Sequence, residues 1–279
     1  MDQFQLKEIQ SKSILTKSGL PGADYVINPY VGCMHACPYC YAVFMKRVTK
    51  HKEPWGKFVD VKMNAPELLE KEIKKAKKGL VLMSSVTDAY HPLEIRYKLT
   101  RRLLEILLKY QFPISVLTKS DLVTRDIDVL KRFKSCEVGF SFLSFNDQHR
   151  KDFEPVAASP ERRLEAMKKL KKAGIKVYAF MGPIFPYLTN IEEMLKKFKE
   201  LGVDMVWAEN LNHKAGTWPQ VFEIIQKKYP GLAKEYERIF FTKNDYWDKV
   251  EARIKKKVKE LKLKVRIVFH HQKYSKTKA

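Results

Sequence analysis

The strongest constraint on the fold is the alternation of short apolar runs with amphipathic segments between residues 25 and 208. The apolar runs are residues 25–30 (YVINPY), 80–84 (LVLMS), 113–118 (PISVLT), 138–143 (VGFSFL), 175–181 (IKVYAFM) and 203–208 (VDMVWA). Each is short for a helix, and most are rich in β-branched or aromatic residues, so each reads as a strand. The intervening segments read as helices. Residues 64–78 carry Leu68, Leu69, Ile73 and Ala76 on one face, with Asn64 as a candidate cap and Pro66 in the first turn. Residues 100–110, 124–133, 159–173 and 190–201 are read the same way; Ser159 and Pro160 open the fourth helix, and Gly174 and Gly202 close the last two. Apolar strands separated by helices mean a parallel sheet covered on both faces. Six such units fit an open doubly wound sheet or an incomplete barrel, α/β in either case. Reactive groups then belong at the C-terminal ends of the strands.

Beyond residue 208 the character changes. Residues 212–241 are aromatic and helical, residues 244–260 form another helix pattern, and residues 261–269 (LKLKVRIVF) alternate apolar and basic. The last thirty residues, 250–279, hold 11 Lys/Arg against 2 Asp/Glu, and are the best candidate for a phosphate-contacting surface. Three parts result: an N-terminal arm (1–24), a barrel segment (25–211) and a basic helical and strand extension (212–279).

The whole chain of 279 residues has 54 Lys/Arg and 32 Asp/Glu, a net charge of +22. With 45% hydrophobic and 12% aromatic residues it can bury a full core, which excludes a disordered tail and a disulfide-dependent miniprotein. No apolar run approaches the length of a membrane span, and the N-terminus lacks an apolar signal core, so a cytoplasmic protein is expected. A lysine-rich, heat-adapted composition ordinarily raises Glu alongside Lys, whereas here the acids lag. The excess attracts polyanions: nucleic acid first, an anionic membrane surface as the alternative.

Three of the four cysteines fall within eight residues: Cys33, Cys37 and Cys40, spaced C-x3-C-x2-C. In a cytosolic chain this argues for metal rather than disulfides. A structural zinc needs four ligands, with His35 as the nearby fourth, yet no second Cys/His pair follows at finger or ribbon spacing. A 4Fe–4S cluster on three cysteines leaves one iron open to a small molecule. Simple packing of the thiols is the third reading.

The cluster spacing, placed after the first strand and with Tyr39 beside its last cysteine, resembles the radical S-adenosylmethionine (SAM) superfamily. Further segments resemble its spore photoproduct lyase-related branch: INPYVGCMHACPYCYA (27–42), SSVTDAYHPLE (84–94), LTKSDLVTRDID (117–128), FEPVAASPERRLEAMKKLKKAGI (153–175) and GPIFP (182–186). The resemblance covers roughly residues 13–186 and implies a partial (β/α)6 TIM-like barrel. It also implies a 4Fe–4S cluster on Cys33, Cys37 and Cys40, SAM chelated to the open iron, and a reductant such as ferredoxin or flavodoxin. In that family, cleavage of SAM gives a 5′-deoxyadenosyl radical that abstracts a hydrogen atom.

Residue by residue, the resemblance places Tyr39 near the adenine of SAM. Thr87 and Lys119 are placed on its carboxylate, and Ser141 on its ribose. Tyr41 matches a tyrosine implicated in radical relay. Asp88, a catalytic candidate, lies with His91 and Glu94 on a loop expected to face substrate; Asp88 and Glu94 also suit capping and supporting roles. Arg162 and Arg163 sit in a helical first turn, where a cation opposes the dipole and suggests a partner anion. One departure stands out: Ser85 occupies the position of the cysteine that returns a hydrogen atom in the lyase, and an O–H bond is too strong for that task. Cys136 precedes the fourth strand and is expected at the opposite end of the barrel, packed. The leading expectation is therefore a radical SAM enzyme acting on nucleic acid. A protein-modifying or protein-activating radical enzyme, and a non-catalytic metal-stabilised nucleic-acid-binding module, are the alternatives.

Overall fold

The computed structural model describes residues 4–270. Its strands are β1 (Gln5–Ile9), β2 (Leu15–Lys17), β3 (Tyr25–Ile27), β4 (Tyr30–Val31), β5 (Phe58–Lys62), β6 (Val81–Met83), β7 (Ile114–Thr118), β8 (Cys136–Phe142), β9 (Lys176–Ile184), β10 (Met205–Asn210) and β11 (Val265–Val268). The main sheet has eight strands in the order β11-β10-β9-β8-β7-β6-β3-β2. All neighbours pair in parallel except β2 and β3, so seven parallel strands end in one antiparallel edge. The order follows the chain from β3 to β11, as stepwise β-helix-β winding requires, and β2 and β11 are unpaired edges, so the sheet is an open partial barrel.

The six anticipated strands are β3, β6, β7, β8, β9 and β10. Two features add to them. The extension's strand, β11, pairs with β10 and makes a seventh parallel strand. The N-terminal arm supplies β2 to the main sheet and β1 to a second sheet of order β1-β5-β4. Helices of the extension bury Val221, Ile225, Tyr236, Trp247, Val250 and Ile254 in the same core as the barrel strands, so the extension shares the barrel's interior. The basic stretch 271–279 lies outside the described residues.

The helices differ from expectation mainly at their ends. Helix Ala65–Glu72 passes into a 3-10 turn, Ile73–Lys75, short of residue 78. Asn64 does not cap it; its side chain accepts from Ser11 N (2.8 Å) and donates to Ser11 O (2.9 Å), fastening the arm. Residues 124–133 divide into a 3-10 turn, Asp121–Asp126, and one helical turn, Ile127–Leu130. Ser159 does cap Pro160–Lys172, accepting from Arg162 N at 3.3 Å.

The barrel interior is filled by close packing across β8. An added Cβ on Gly139 would fall 2.1 Å from the ring of Tyr178, so only a glycine lets that ring cross the strand. The Tyr178 hydroxyl then reaches Val116 O at 3.1 Å. Cys136 opens β8 in register with Ile114, at the N-terminal end of the sheet. Burial pushes its thiol up to about 12.

Candidate active site

The loop from Gly32 to Cys40 leaves β4 through a left-handed glycine. Gly32 has φ +85°, and a Cβ there would lie 2.4 Å from Phe58 O, so no other residue fits. Thr87, in the loop after β6, donates its hydroxyl to Gly32 O at 2.5 Å and ties the two loops together. Cys33 and Cys37 are buried, Cys40 is half-buried, and none forms a disulfide. Burial, with the nearby Asp88 and Cys40 charges, pushes the Cys33 thiol up to about 12. Burial also raises Cys37 and Cys40, against the opposing pull of Lys119. Three thiols in a dry loop, whose thiolates would repel one another, ionise together only when a positive centre joins them, and iron is such a centre. Among the described residues, no three His, Cys, Asp or Glu side chains converge on a single ion. A cluster instead takes one thiolate at each of three irons, so the donor set fits iron–sulfur ligation.

Beside this loop lies a buried polar network. Lys119, just past β7, donates Nζ to Ser141 Oγ at 3.1 Å and lies 3.9 Å from Glu154 Oε1. Ser141 donates onward to Gly182 O at 2.9 Å. Glu154 accepts from the Tyr39 hydroxyl and from the Arg163 guanidinium. Arg163 also donates to Ala158 O (2.8 Å) and to Ser141 O. Burial alone would lower the Lys119 pKa, but the Glu154 carboxylate outweighs it and holds the ammonium charged. Burial alone would likewise neutralise Glu154, and Arg163 and Lys119 keep it a carboxylate. The structure therefore brings Tyr39, Lys119 and Ser141 together. Thr87 instead anchors the cysteine loop through Gly32.

Asp88 is a buried carboxylate with a full set of donors. It accepts from Thr118 Oγ1 (2.6 Å), Lys119 N (2.8 Å) and Tyr90 N (2.8 Å), with His35 Nε2 at 3.2 Å. Burial works against its charge, but His35, Thr118 and the Lys119 amide hold it well below the usual carboxylate range. Tyr41 is 47% exposed at the mouth, and its hydroxyl donates to the backbone oxygen of Ser85. Ser85 is held from the other side by Asn28, whose Oδ1 accepts Ser85 N at 2.9 Å.

Three expectations need correction. His91 and Glu94 do not face a substrate: both are fully buried. Glu94 accepts from Thr100 N (3.0 Å), Arg125 (2.7 Å) and the Tyr30 hydroxyl, so of its two expected roles the capping one holds: it caps the helix Leu99–Lys109 from inside. The anion that Arg162 and Arg163 called for is internal. Arg163 meets Glu154, and Arg162 meets Asp121 at 2.9 Å. Glu154 itself was passed over in the sequence, because a lone acid nine residues from an arginine carries no sign of burial. His35, considered only as a zinc ligand, is buried with Nε2 3.2 Å from Asp88 Oδ2 and with neither ring nitrogen in a hydrogen bond.

Comparison with known proteins agrees with this geometry. The model of the family described as the Radical SAM superfamily matches residues 27–198. An uncharacterised protein of Methanocaldococcus jannaschii is 41% identical over 235 residues, covering 81% of this chain and 88% of its own length. The spore photoproduct lyase of Bacillus subtilis is 26% identical over 230 residues, 80% of this chain and 62% of the lyase. Among solved structures, a spore photoproduct lyase mutant with dinucleoside spore photoproduct superposes with a TM-score of 0.67 at 16% identity, covering 95% of this chain and 82% of that one. The family match spans most of the barrel and includes the cysteine loop, Lys119, Ser141 and Glu154, and the chain belongs to the radical SAM superfamily, on the fold shared with spore photoproduct lyase.

Proposed function

We propose that this chain is an enzyme that binds a 4Fe–4S cluster through Cys33, Cys37 and Cys40, binds SAM against Lys119, and abstracts a hydrogen atom from a nucleic-acid substrate. The observation that carries the reading is the buried network beside Cys37. Lys119, half-buried beside the cysteine loop, is kept charged by Glu154 and aimed by Ser141, the placement expected of a group that meets an anionic ligand. The cluster and SAM, when bound, supply one-electron cleavage of the sulfonium and a carbon radical that takes the hydrogen atom.

The protein's own groups do the rest. Lys119 offers a charge-assisted hydrogen bond to the carboxylate of SAM. Asp88 fixes the Lys119 backbone, and Arg163 fixes Glu154, so neither partner has to reorganise as ligand arrives. Tyr39 is held by Glu154 and presents its ring to the same space. Tyr41 leans over Ser85 at the mouth, where an oxygen replaces the lyase's cysteine, so product formation here does not rely on a thiol at that place. The net charge of +22 supports a polyanionic substrate. The dinucleoside held by the structurally similar lyase supports a nucleotide-sized ligand at the mouth.

The test is anaerobic reconstitution with iron and sulfide, reduction, and addition of SAM. A 4Fe–4S signal and 5′-deoxyadenosine are expected, and both should vanish in Cys37→Ala. Formation of neither by the wild type sinks the enzyme reading. Titration with tRNA, duplex DNA and single strands should show binding that weakens steeply with salt. No binding at low salt would reassign the substrate to protein.

A further inference from the structure

A second cleft lies at the C-terminal end of β10, on the same side of the sheet as the cysteine loop. It has a volume of about 300 Å³ and is walled by the extension, including His213, Lys214, Phe240, Lys243, Trp247 and His270. His270 ties it to the end of β10. His270 Nε2 meets Glu209 Oε1 at 2.8 Å, and His270 N donates to Asn210 Oδ1 at 2.7 Å.

Two chemistries meet in this cleft. One is aromatic. The His213 ring packs against Phe240 at 5.2 Å and Phe241 at 5.5 Å, and Phe240 lies 5.9 Å from Trp247. The other is cationic. Lys214 and Lys243 are exposed, and among the described residues neither forms an ion pair. Four other lysines of the extension are matched: Lys227 with Glu223, Lys249 with Asp245, Lys255 with Glu251 and Lys257 with Glu260. One carboxylate, Asp248, shares the wall and has an interaction of its own.

An aromatic floor with unmatched ammonium groups at its rim is what a base and its phosphate require. About 300 Å³ is at the small end of ligand clefts, sized for one nucleotide rather than a protein segment. We infer that this cleft binds a nucleotide flanking the one that enters the barrel, with its phosphate on Lys214 and Lys243 and its base against the half-buried His213 ring, which the buried Phe240 and Trp247 support from below. The inference rests on the nucleic-acid reading above and gives it a location. It also separates the phosphate contact from Lys255 and Lys257 of the helix Tyr246–Leu261, which are paired with Glu251 and Glu260.

The test compares two doubly substituted full-length proteins of equal charge, Lys214→Ala/Lys243→Ala and Lys255→Ala/Lys257→Ala, binding a fluorescein-labelled single-stranded 12-mer at several salt concentrations. The cleft variant should lose about tenfold in affinity at low salt, and its log–log salt slope should shrink by about 1.4, two phosphate contacts' worth for a single strand. The helix variant should change far less. Irradiation of a 5-bromouracil-containing strand with the wild type should crosslink the peptide containing His213. Equal losses in the two variants, with crosslinks elsewhere, overturn the cleft while leaving nucleic-acid binding intact. No binding by the wild type overturns the underlying reading itself.

Discussion

At the scale of single residues, the site is defined by charges that are buried and answered. Arg163 and Glu154 are each 1% exposed, and each is the other's ionic partner. Replacing Glu154 by Gln leaves a buried guanidinium without its counter-charge, which costs about 3–5 kcal/mol. Urea unfolding of Glu154→Gln should show that loss, and adding Arg163→Met should recover part of it. Lys119→Met removes one charge-assisted hydrogen bond, worth about 1.5–3 kcal/mol, and should weaken SAM binding roughly 10- to 100-fold. Equilibrium dialysis of the reconstituted protein with labelled SAM measures this, and unchanged affinity would remove Lys119 from the site.

His91 adds a pH dependence. Burial lowers its pKa from 6.5 to about 3, so the folded state holds it neutral while the unfolded chain takes up a proton below 6.5. A group with a lowered folded pKa stabilises above the unfolded value and loses that contribution as the pH falls. Stability should therefore decline on acidification from about pH 6.5, before the carboxylates titrate, and the decline should be shallower in His91→Phe. Denaturant midpoints measured across pH 4–7 provide the check. Asp88, held low by its donors, adds a second loss at still lower pH.

At the scale of elements, the cysteine loop depends on neighbours distant in sequence. Gly32 abuts Phe58 of β5, and the loop is tied to Thr87 after β6. Gly32→Ala should strain a left-handed position and displace the loop, at a cost of about 1–3 kcal/mol. Iron retained per chain after desalting should fall with it. The alternation of apolar runs and helices made the parallel strands legible because each signal is local. The second sheet was not legible: β1 (QLKEI) has no apolar face to announce it, and β5 acquires its meaning only by pairing β1 in parallel and β4 in antiparallel. The candidate site divides the same way. Cys33, Cys37 and Cys40 stand out by spacing alone, whereas Glu154 became visible only when folding placed it between Tyr39, Lys119 and Arg163.

At the scale of the molecule, charge and topology act together. Among the described residues no helix is long and apolar enough to cross a membrane. The basic extension is not a separate appendage, since its strand completes the sheet and its helices share the core. Shortening the chain after residue 211 would expose the β10 edge and the apolar residues that Trp247 and Ile254 cover. Such a truncation should be insoluble, or should lose the cooperative unfolding of the full chain, as differential scanning calorimetry would show.

The pairing of β11 with β10 has a temporal consequence. Fifty-four residues, 211–264, separate the two strands, so a ribosome working at about 5–20 residues per second finishes β10 some 3–11 s before β11 begins to emerge. Throughout that interval the nascent barrel carries a bare strand edge able to template pairing with another chain. Like-charge repulsion between the lysine-rich surfaces already synthesised opposes such pairing between newly made copies.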